Sequence, residues 1–341
     1  MSTDSAAIAE QKRKGLRVAF AVSVGFTFAV FSGAIVPFLG PLFAAQFLLG
    51  STQPMPLGKT IGAALVILLA GAVMMLLTIL AGEHHIVLLL LLGLVYFLCF
   101  AAQSTGKGGS AVFLVLVVAI IVPLLAILNR ELASSILFML VSGVLSATVL
   151  AWVAHAIFPE PPALRADTLP PEERSPALGR ALANTAILLA SVVICLTSDN
   201  LNAAVVIPIT VASLLGQLDI SASGRAAVGL VLVNIFGGVL ASIAYAILNL
   251  RPSLFSILII VLVTGLFLGG RAAGSSKDAP VFAGALTIFL ILFGLGVSPL
   301  PGSAAESFAT RIVYVGMALV FTLLLAVLLS PRSSGMKQAS A

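Results

Sequence analysis

Apolar runs long enough to cross a bilayer govern what this chain can fold into. Ile86–Phe100, Ala111–Leu128 and Ile312–Leu329 come close to the roughly 20 apolar residues that a helix needs to span the hydrocarbon core. Hydrophobic residues make up 60% of the 341-residue chain and charged residues 9%, with a mean hydropathy of +1.22; a soluble domain has roughly 45–50% apolar and about 25% charged residues. No period-2 alternation of a membrane barrel is present, so the spans are helical. The expected fold class is all-α, a polytopic transmembrane helical bundle in contact with lipid.

Two of the apolar stretches are punctuated where an ordinary span is continuous. Between Gly33 and Gly50 lie Pro37, Gly40 and Pro41, and between Thr197 and Gly216 lie Asp199, Asn200, Asn202 and Pro208. Proline removes a backbone donor, and irregular backbone at membrane depth is tolerated only where it is buried in protein or lines a cavity. A pair of interrupted segments at matching places in two halves of a chain points to a transporter's substrate site.

Polar breaks divide the chain into spans at 17–33, 35–50, 58–81, 85–102, 111–128, 133–157, 179–197, 202–216, 224–248, 253–270, 279–296 and 308–330. This predicts about 12 helices as two parallel six-helix repeats, with a broken second helix in each. The expected layout is a cytoplasmic tail at 1–15, a first repeat at 16–158, a proline-rich cytoplasmic linker at 159–177, a second repeat at 178–331 and a tail at 332–341. With a constant offset of 166, Leu48-Leu49-Gly50 falls on Leu214-Leu215-Gly216, Gly58-Lys59 on Gly224-Arg225, Gly71 on Gly237 and Val73 on Val239, which reads as a duplication. If all twelve segments cross and the amino terminus is cytoplasmic, 14 of the 17 basic residues fall inside and only Arg130, Arg251 and Arg311 outside. Treating both broken segments as re-entrant spoils that partition, and an even number of crossings per half makes the repeats parallel rather than inverted.

Gln11-Lys12-Arg13-Lys14 superficially resembles a signal-peptide n-region, but the apolar run behind it passes into the interrupted segment without a convincing cleavage site, so it is read as an uncleaved first helix. Cys99 and Cys195 lie in apolar runs and imply no disulfide or metal site. The net charge of +5 reports basic loops on one side rather than a nucleic-acid partner.

Two six-helix halves, the segments Pro37-Phe38-Leu39-Gly40-Pro41 and Ile207-Pro208, and a Gly-basic start to the following helix resemble the fusaric-acid-resistance and aromatic-acid-exporter superfamily of bacterial inner-membrane proteins. The likeness runs from about Gly15 to Pro331, without the large cytoplasmic domain between the halves and without the aromatic-rich second-helix motif of better-known members. It implies a multi-pass inner-membrane protein with both termini cytoplasmic that exports small organic anions, often aromatic or amphipathic, together with a periplasmic adaptor (membrane fusion) protein and an outer-membrane channel.

Few residues could carry chemistry. The broken segments nominate Pro37, Pro41, Gln46, Asn202 and Pro208 for substrate contact. Asp199 is either a helix cap or a proton-coupling carboxylate at the membrane, and His155, beside Trp152, either sits at the interface or handles protons. Lys59 and Arg225 anchor helices at cytoplasmic headgroups by snorkelling, or draw anions to the inner mouth. Glu83-His84-His85 reads as a solvated turn without metal-site spacing. Gln103, Asn184 and Asn234 lie in or beside apolar runs, and the two asparagines are expected to bond neighbouring helices. There is no P-loop, nucleophile elbow or metal motif, so no cofactor and no enzyme activity is expected. The rival readings are a membrane-embedded enzyme acting on lipid-linked substrate and a non-transporting subunit of an envelope complex. A homo-oligomer is allowed by the sequence and not demanded by it.

Overall fold

The structure, a computed structural model, describes residues 3–51, 54, 56–105, 109–128, 130–159, 178–197, 206–217, 224–274, 276, 278–298, 317, 320 and 321. The linker and most of the final span lie outside the described residues. Eleven helices run through the rest, and among the described residues there is no strand: α1 (Thr3–Phe31), α2 (Leu39–Gly50), α3 (Leu57–Ala81), α4 (His85–Ser104), α5 (Gly109–Leu128), α6 (Arg130–Ile157), α7 (Leu178–Leu196), α8 (Val206–Gln217), α9 (Gly224–Leu250), α10 (Leu254–Ala272) and α11 (Ala279–Val297). Seven of these are long and apolar enough to cross a membrane. The molecule is an all-helical bundle of membrane type.

Side chains show why it needs lipid. Ile86, Leu90, Leu94 and Leu98 are 55–76% exposed on α4, and their spacing of four residues lays them along one helix face. Val239, Ile243 and Ile247 repeat the pattern on α9. Apolar stripes of this length would be intolerable on a soluble monomer, whereas hydrocarbon accepts them without cost. Since lipid tails are as apolar as leucine, close packing rather than water exclusion holds the helices together. Gly237 lets α9 approach α11 so closely that a Cβ there would lie 2.7 Å from the Ala285 carbonyl oxygen, and a Cβ on Gly15 would lie 2.7 Å from the Gly270 Cα where α1 crosses α10. Opposite α1, α10 takes a π turn at Gly265–Gly269.

The second half recurs where the offset of 166 places it. Added to the first residues of α2, α3, α4 and α5, which are 39, 57, 85 and 109, it gives 205, 223, 251 and 275; α8, α9, α10 and α11 begin at 206, 224, 254 and 279. Packing follows the same correspondence. α3 lies on α5 as α9 lies on α11, while across the halves α4 packs on α7 and α10 packs on α1. α2 meets α11, and α8 meets α5. Such reciprocity is what a twofold axis along the bundle produces. Around that axis α2, α5, α8 and α11 close a ring, each touching the next, and Phe43, Ile120, Val211 and Phe289 on these four helices are buried almost completely.

Hydrogen bonds identify the two ends. At one end Lys14 Nζ donates to the Leu49 carbonyl at the close of α2 (2.8 Å), Arg17 Nε to the Phe158 carbonyl just past α6 (2.8 Å), and Arg13 to the Pro159 carbonyl (3.2 Å). Gln11 reaches the Gly270 carbonyl near the end of α10 (3.5 Å). At the other end, Ser298 after α11 donates to the Ile35 carbonyl (2.6 Å). The interrupted segment 33–50 therefore crosses the bundle from end to end instead of turning back, although α2 itself, with 12 residues, is only about 18 Å long.

Candidate functional site

The first interruption differs in detail from its sequence reading. The break is not inside a helix at 35–50 but in front of one. Gly33 has φ +70° and stops α1, with the Ala34 amide donating to the Ala29 carbonyl and the Gly33 amide to the Val30 carbonyl (both 3.0 Å), the paired bonds of a Schellman motif. Residues 34–38 then descend irregularly and α2 begins at Leu39. Pro41 is the third residue of α2 and Pro208 the third of α8, positions whose amides find no partner within the helix in any case. Pro41 therefore starts its short helix rather than breaking it, and no intrahelical hydrogen bond is lost there; the residues ahead of Val206 lie outside those described. Irregular backbone remains at 34–38, and its Ile35 carbonyl is satisfied by Ser298. Phe38 packs into the space that Gly294 leaves on α11; a Cβ on Gly294 would come within 2.8 Å of it.

Pro37, Pro41 and Pro208 are all buried. Gln46, on the third turn of α2, is half-buried and donates through Nε2 to the Thr287 hydroxyl on α11 at 3.4 Å. Thr287 gives its own proton to the Ala283 carbonyl at 3.0 Å. This pair joins two helices of the central ring, and Thr287 escaped sequence reasoning because a lone threonine in an apolar run looks like ordinary packing. Phe26, Phe289 and Phe293 gather elsewhere in the core beside α11, with Phe293 5.4 Å from each of the other two rings.

The remaining candidates are dispersed. His155 stands on the last turn of α6, its Nδ1 2.8 Å from the Ala151 carbonyl, at the end of the bundle where Arg13 and Arg17 dock. Lys59 is exposed on the first turn of α3, where its charge has the wrong sign for the helix dipole. Arg225 belongs to the first turn of α9, and its side chain is outside the described residues. Asp199 and Asn202 also lie outside them. Glu83, His84 and His85 are exposed at the α3–α4 turn, and no metal-holding cluster occurs among the described residues. Asn184 is buried in α7, but its amide oxygen has no hydrogen-bond partner, so for that atom the expected bond to a neighbouring helix is not made.

A proline that the sequence reading passed over has a consequence of its own. Pro123 sits inside α5 and cannot donate to the Ala119 carbonyl four residues earlier. Tyr96 of α4, fully buried, turns its hydroxyl to that oxygen at 3.3 Å. Pro123 alone marks the orphaned carbonyl in the sequence; that Tyr96 answers it is decided by the packing of α4 on α5.

Residues 14–154, which run from α1 almost to the end of α6, are similar to a family described as a protein of unknown function, DUF2955. That match covers less than half of the chain and coincides with the first set of six helices. No curated protein and no solved structure matches the chain.

Proposed function

We propose that this chain is an efflux transporter of the bacterial inner membrane that moves small organic anions, aromatic or amphipathic, by alternating access between two parallel halves. The observation that carries the reading is the central ring. Two short helices, α2 and α8, each opening with a proline on its third residue, stand in it with α5 and α11, and the irregular backbone before α2 is held by a serine of the opposite half. Interrupted segments at matching places in the two halves of a chain are characteristic of transporter binding sites. The likeness of the layout to aromatic-acid exporters supports the substrate class. The charge count supports a cytoplasmic position for the end that Arg13, Lys14 and Arg17 hold.

In this reading Asp199, ahead of α8, couples efflux to the proton gradient, Lys59 and Arg225 attract anions to the inner mouth, and a periplasmic adaptor passes substrate to an outer-membrane channel. The test is flux in proteoliposomes. Purified protein should move members of a panel of aromatic acids faster than empty vesicles do, and an imposed pH gradient should change the rate. Equal rates with and without protein across the panel would overturn the proposal and leave the enzyme or scaffold reading to be tested against lipid-linked substrates and envelope partners.

A further inference from the structure

We infer that Gln46 and Thr287 form a subsite for the uncharged polar end of an aromatic or amphipathic ligand, a protonated carboxylic acid or a carboxamide, and not for a carboxylate. The inference rests on the transport reading and narrows it: a substrate that is an anion in water meets the ring in its neutral form, leaving any coupling proton to travel elsewhere.

Asymmetry is the first reason. The offset that relates the halves places Gln46 on Ala212 of α8, 1% exposed, and Thr287 on Ile121 of α5, or on Val117 when the starts of α5 and α11 are aligned; both of these are apolar and buried, at 6% and 5% exposure. One side of the ring thus packs well without any polar group at these positions. An amide at membrane depth costs desolvation, so a pair found on one side only is not there because the fold requires it.

Charge is the second. The four ring helices contain no Asp, Glu, Lys, Arg or His at all. Charged and titratable residues on the elements packed against α2 and α11 are bonded to other groups or stand at helix ends. On α1, Lys14 is bonded to the Leu49 carbonyl and Arg13 and Arg17 to the carbonyls beyond α6, with Glu10 and Lys12 exposed beside them. Leu49 lies three residues past Gln46, roughly 5 Å further along the helix axis. On α6, His155 is bonded within its own helix, and Arg130 and Glu131 begin the helix at the opposite end. On α10, Arg271 stacks between the rings of Phe267 and Phe282 at 5.0 and 5.1 Å, and on α9 Arg225 opens the first turn. A carboxylate at Gln46 would be desolvated with no cation supplied by the ring.

Chemistry is the third. Thr287 has already spent its proton on Ala283 and so accepts from Gln46, which fixes the direction of the amide. One N–H and the amide oxygen of Gln46 remain, a donor for the C=O and an acceptor for the O–H of a carboxylic acid or the N–H of a carboxamide. A carboxylate would set its lone pairs against the amide oxygen.

The experiment is calorimetric titration of the full-length protein in detergent with benzamide and with benzoic acid from pH 4.5 to 8, where leakage through lipid plays no part. Benzamide should bind with constant affinity, while benzoic acid should weaken about tenfold for each pH unit above its own pKa, following the neutral fraction. Gln46→Leu should abolish both. Thr287→Val, which removes the acceptor that orients the amide, should weaken both several-fold, and it serves as the test if Gln46→Leu does not yield a folded protein. Benzoate binding that stays level or strengthens toward pH 8, binding unchanged in both variants, or no binding of either probe would overturn the subsite. Binding as expected together with no protein-dependent flux would uphold the subsite and overturn the transporter reading.

Discussion

Replacing Tyr96 by phenylalanine should destabilise the protein by about 1–2 kcal/mol, and the loss should vanish when Pro123 is also replaced by alanine. Pro123 leaves the Ala119 carbonyl without its helical donor, and the Tyr96 hydroxyl, 3.3 Å away and wholly buried, supplies one. An orphaned buried acceptor costs roughly 1–3 kcal/mol, while hydrogen bonds between membrane helices average about 0.6 kcal/mol and reach about 1.7. The 3.3 Å length argues for a value below the top of the first range, and complete burial for one near the top of the second. In the Pro123→Ala background the alanine amide donates to Ala119 along the helix, so Tyr96→Phe should then cost only a few tenths of a kcal/mol. Unfolding in mixed detergent micelles, followed by far-UV dichroism for the four proteins of the cycle, reads the coupling directly; about 1.4 kcal/mol is a tenfold change in the folded-to-unfolded ratio. A coupling energy near zero would refute the reasoning, whether because Tyr96→Phe is harmless or because it costs the same with and without the proline.

Other consequences follow from the packing and the topology. In intact cells an impermeant thiol reagent should label Glu83→Cys and miss Lys59→Cys, since Glu83 lies on the turn between α3 and α4 and Lys59 at the opposite end of α3; the buried native Cys99 and Cys195 should add little background, and the reverse pattern would invert the topology. Gly237→Ala should cost about 1–3 kcal/mol by overpacking, because the new methyl would meet the backbone of α11 at Ala285 rather than a movable side chain; unchanged thermal stability in detergent would show that α9 and α11 are not so close. Asn184→Leu should leave stability unchanged or raise it by about 1 kcal/mol, since the residue is buried with an unpartnered amide oxygen, and a clear loss of stability would mean that the amide has a partner.

The helices were legible because hydrophobicity sets them. Ten of the expected spans correspond to α2 through α11 within a few residues, while α1 begins at Thr3, 14 residues ahead of the expected span at 17–33, because helical hydrogen bonding continues through the polar segment that hydropathy left out; the offset of 166 recovers the starts of four second-half helices to within four residues. Conformation inside the interruption was not legible. Pro37, Gly40 and Pro41 announce irregular backbone, but whether a proline breaks a helix or begins one depends on where the first turn falls, and that is decided here by Gly33 closing α1 and by Phe38 fitting against Gly294. Contacts between distant helices were invisible for the same kind of reason. Neither Thr287 opposite Gln46 nor Tyr96 opposite Ala119 has a local signature, because the partner is chosen by helix packing and not by spacing along the chain.

The basic residues of α1 show how one set of side chains can carry two kinds of information. Counted along the sequence, Arg13, Lys14 and Arg17 belong to the basic majority that the proposed topology puts on the cytoplasmic side. Within α1 they stand ten or more residues past its start, beyond the reach of that helix's own dipole. Yet α2 and α6 run antiparallel to α1 and finish beside it, and a cation at the carboxyl end of a helix is favourable; the three side chains bond the carbonyls of Leu49, Phe158 and Pro159 at those ends. The charges on which the proposed orientation rests therefore also join α1 to α2 and α6. If α2 moves against α1 during alternating access, the bond from Lys14 to Leu49 must open. Its net worth as a charge-assisted bond is about 1.5–3 kcal/mol, small enough to exchange for water at the membrane surface and large enough to bias which state α2 prefers.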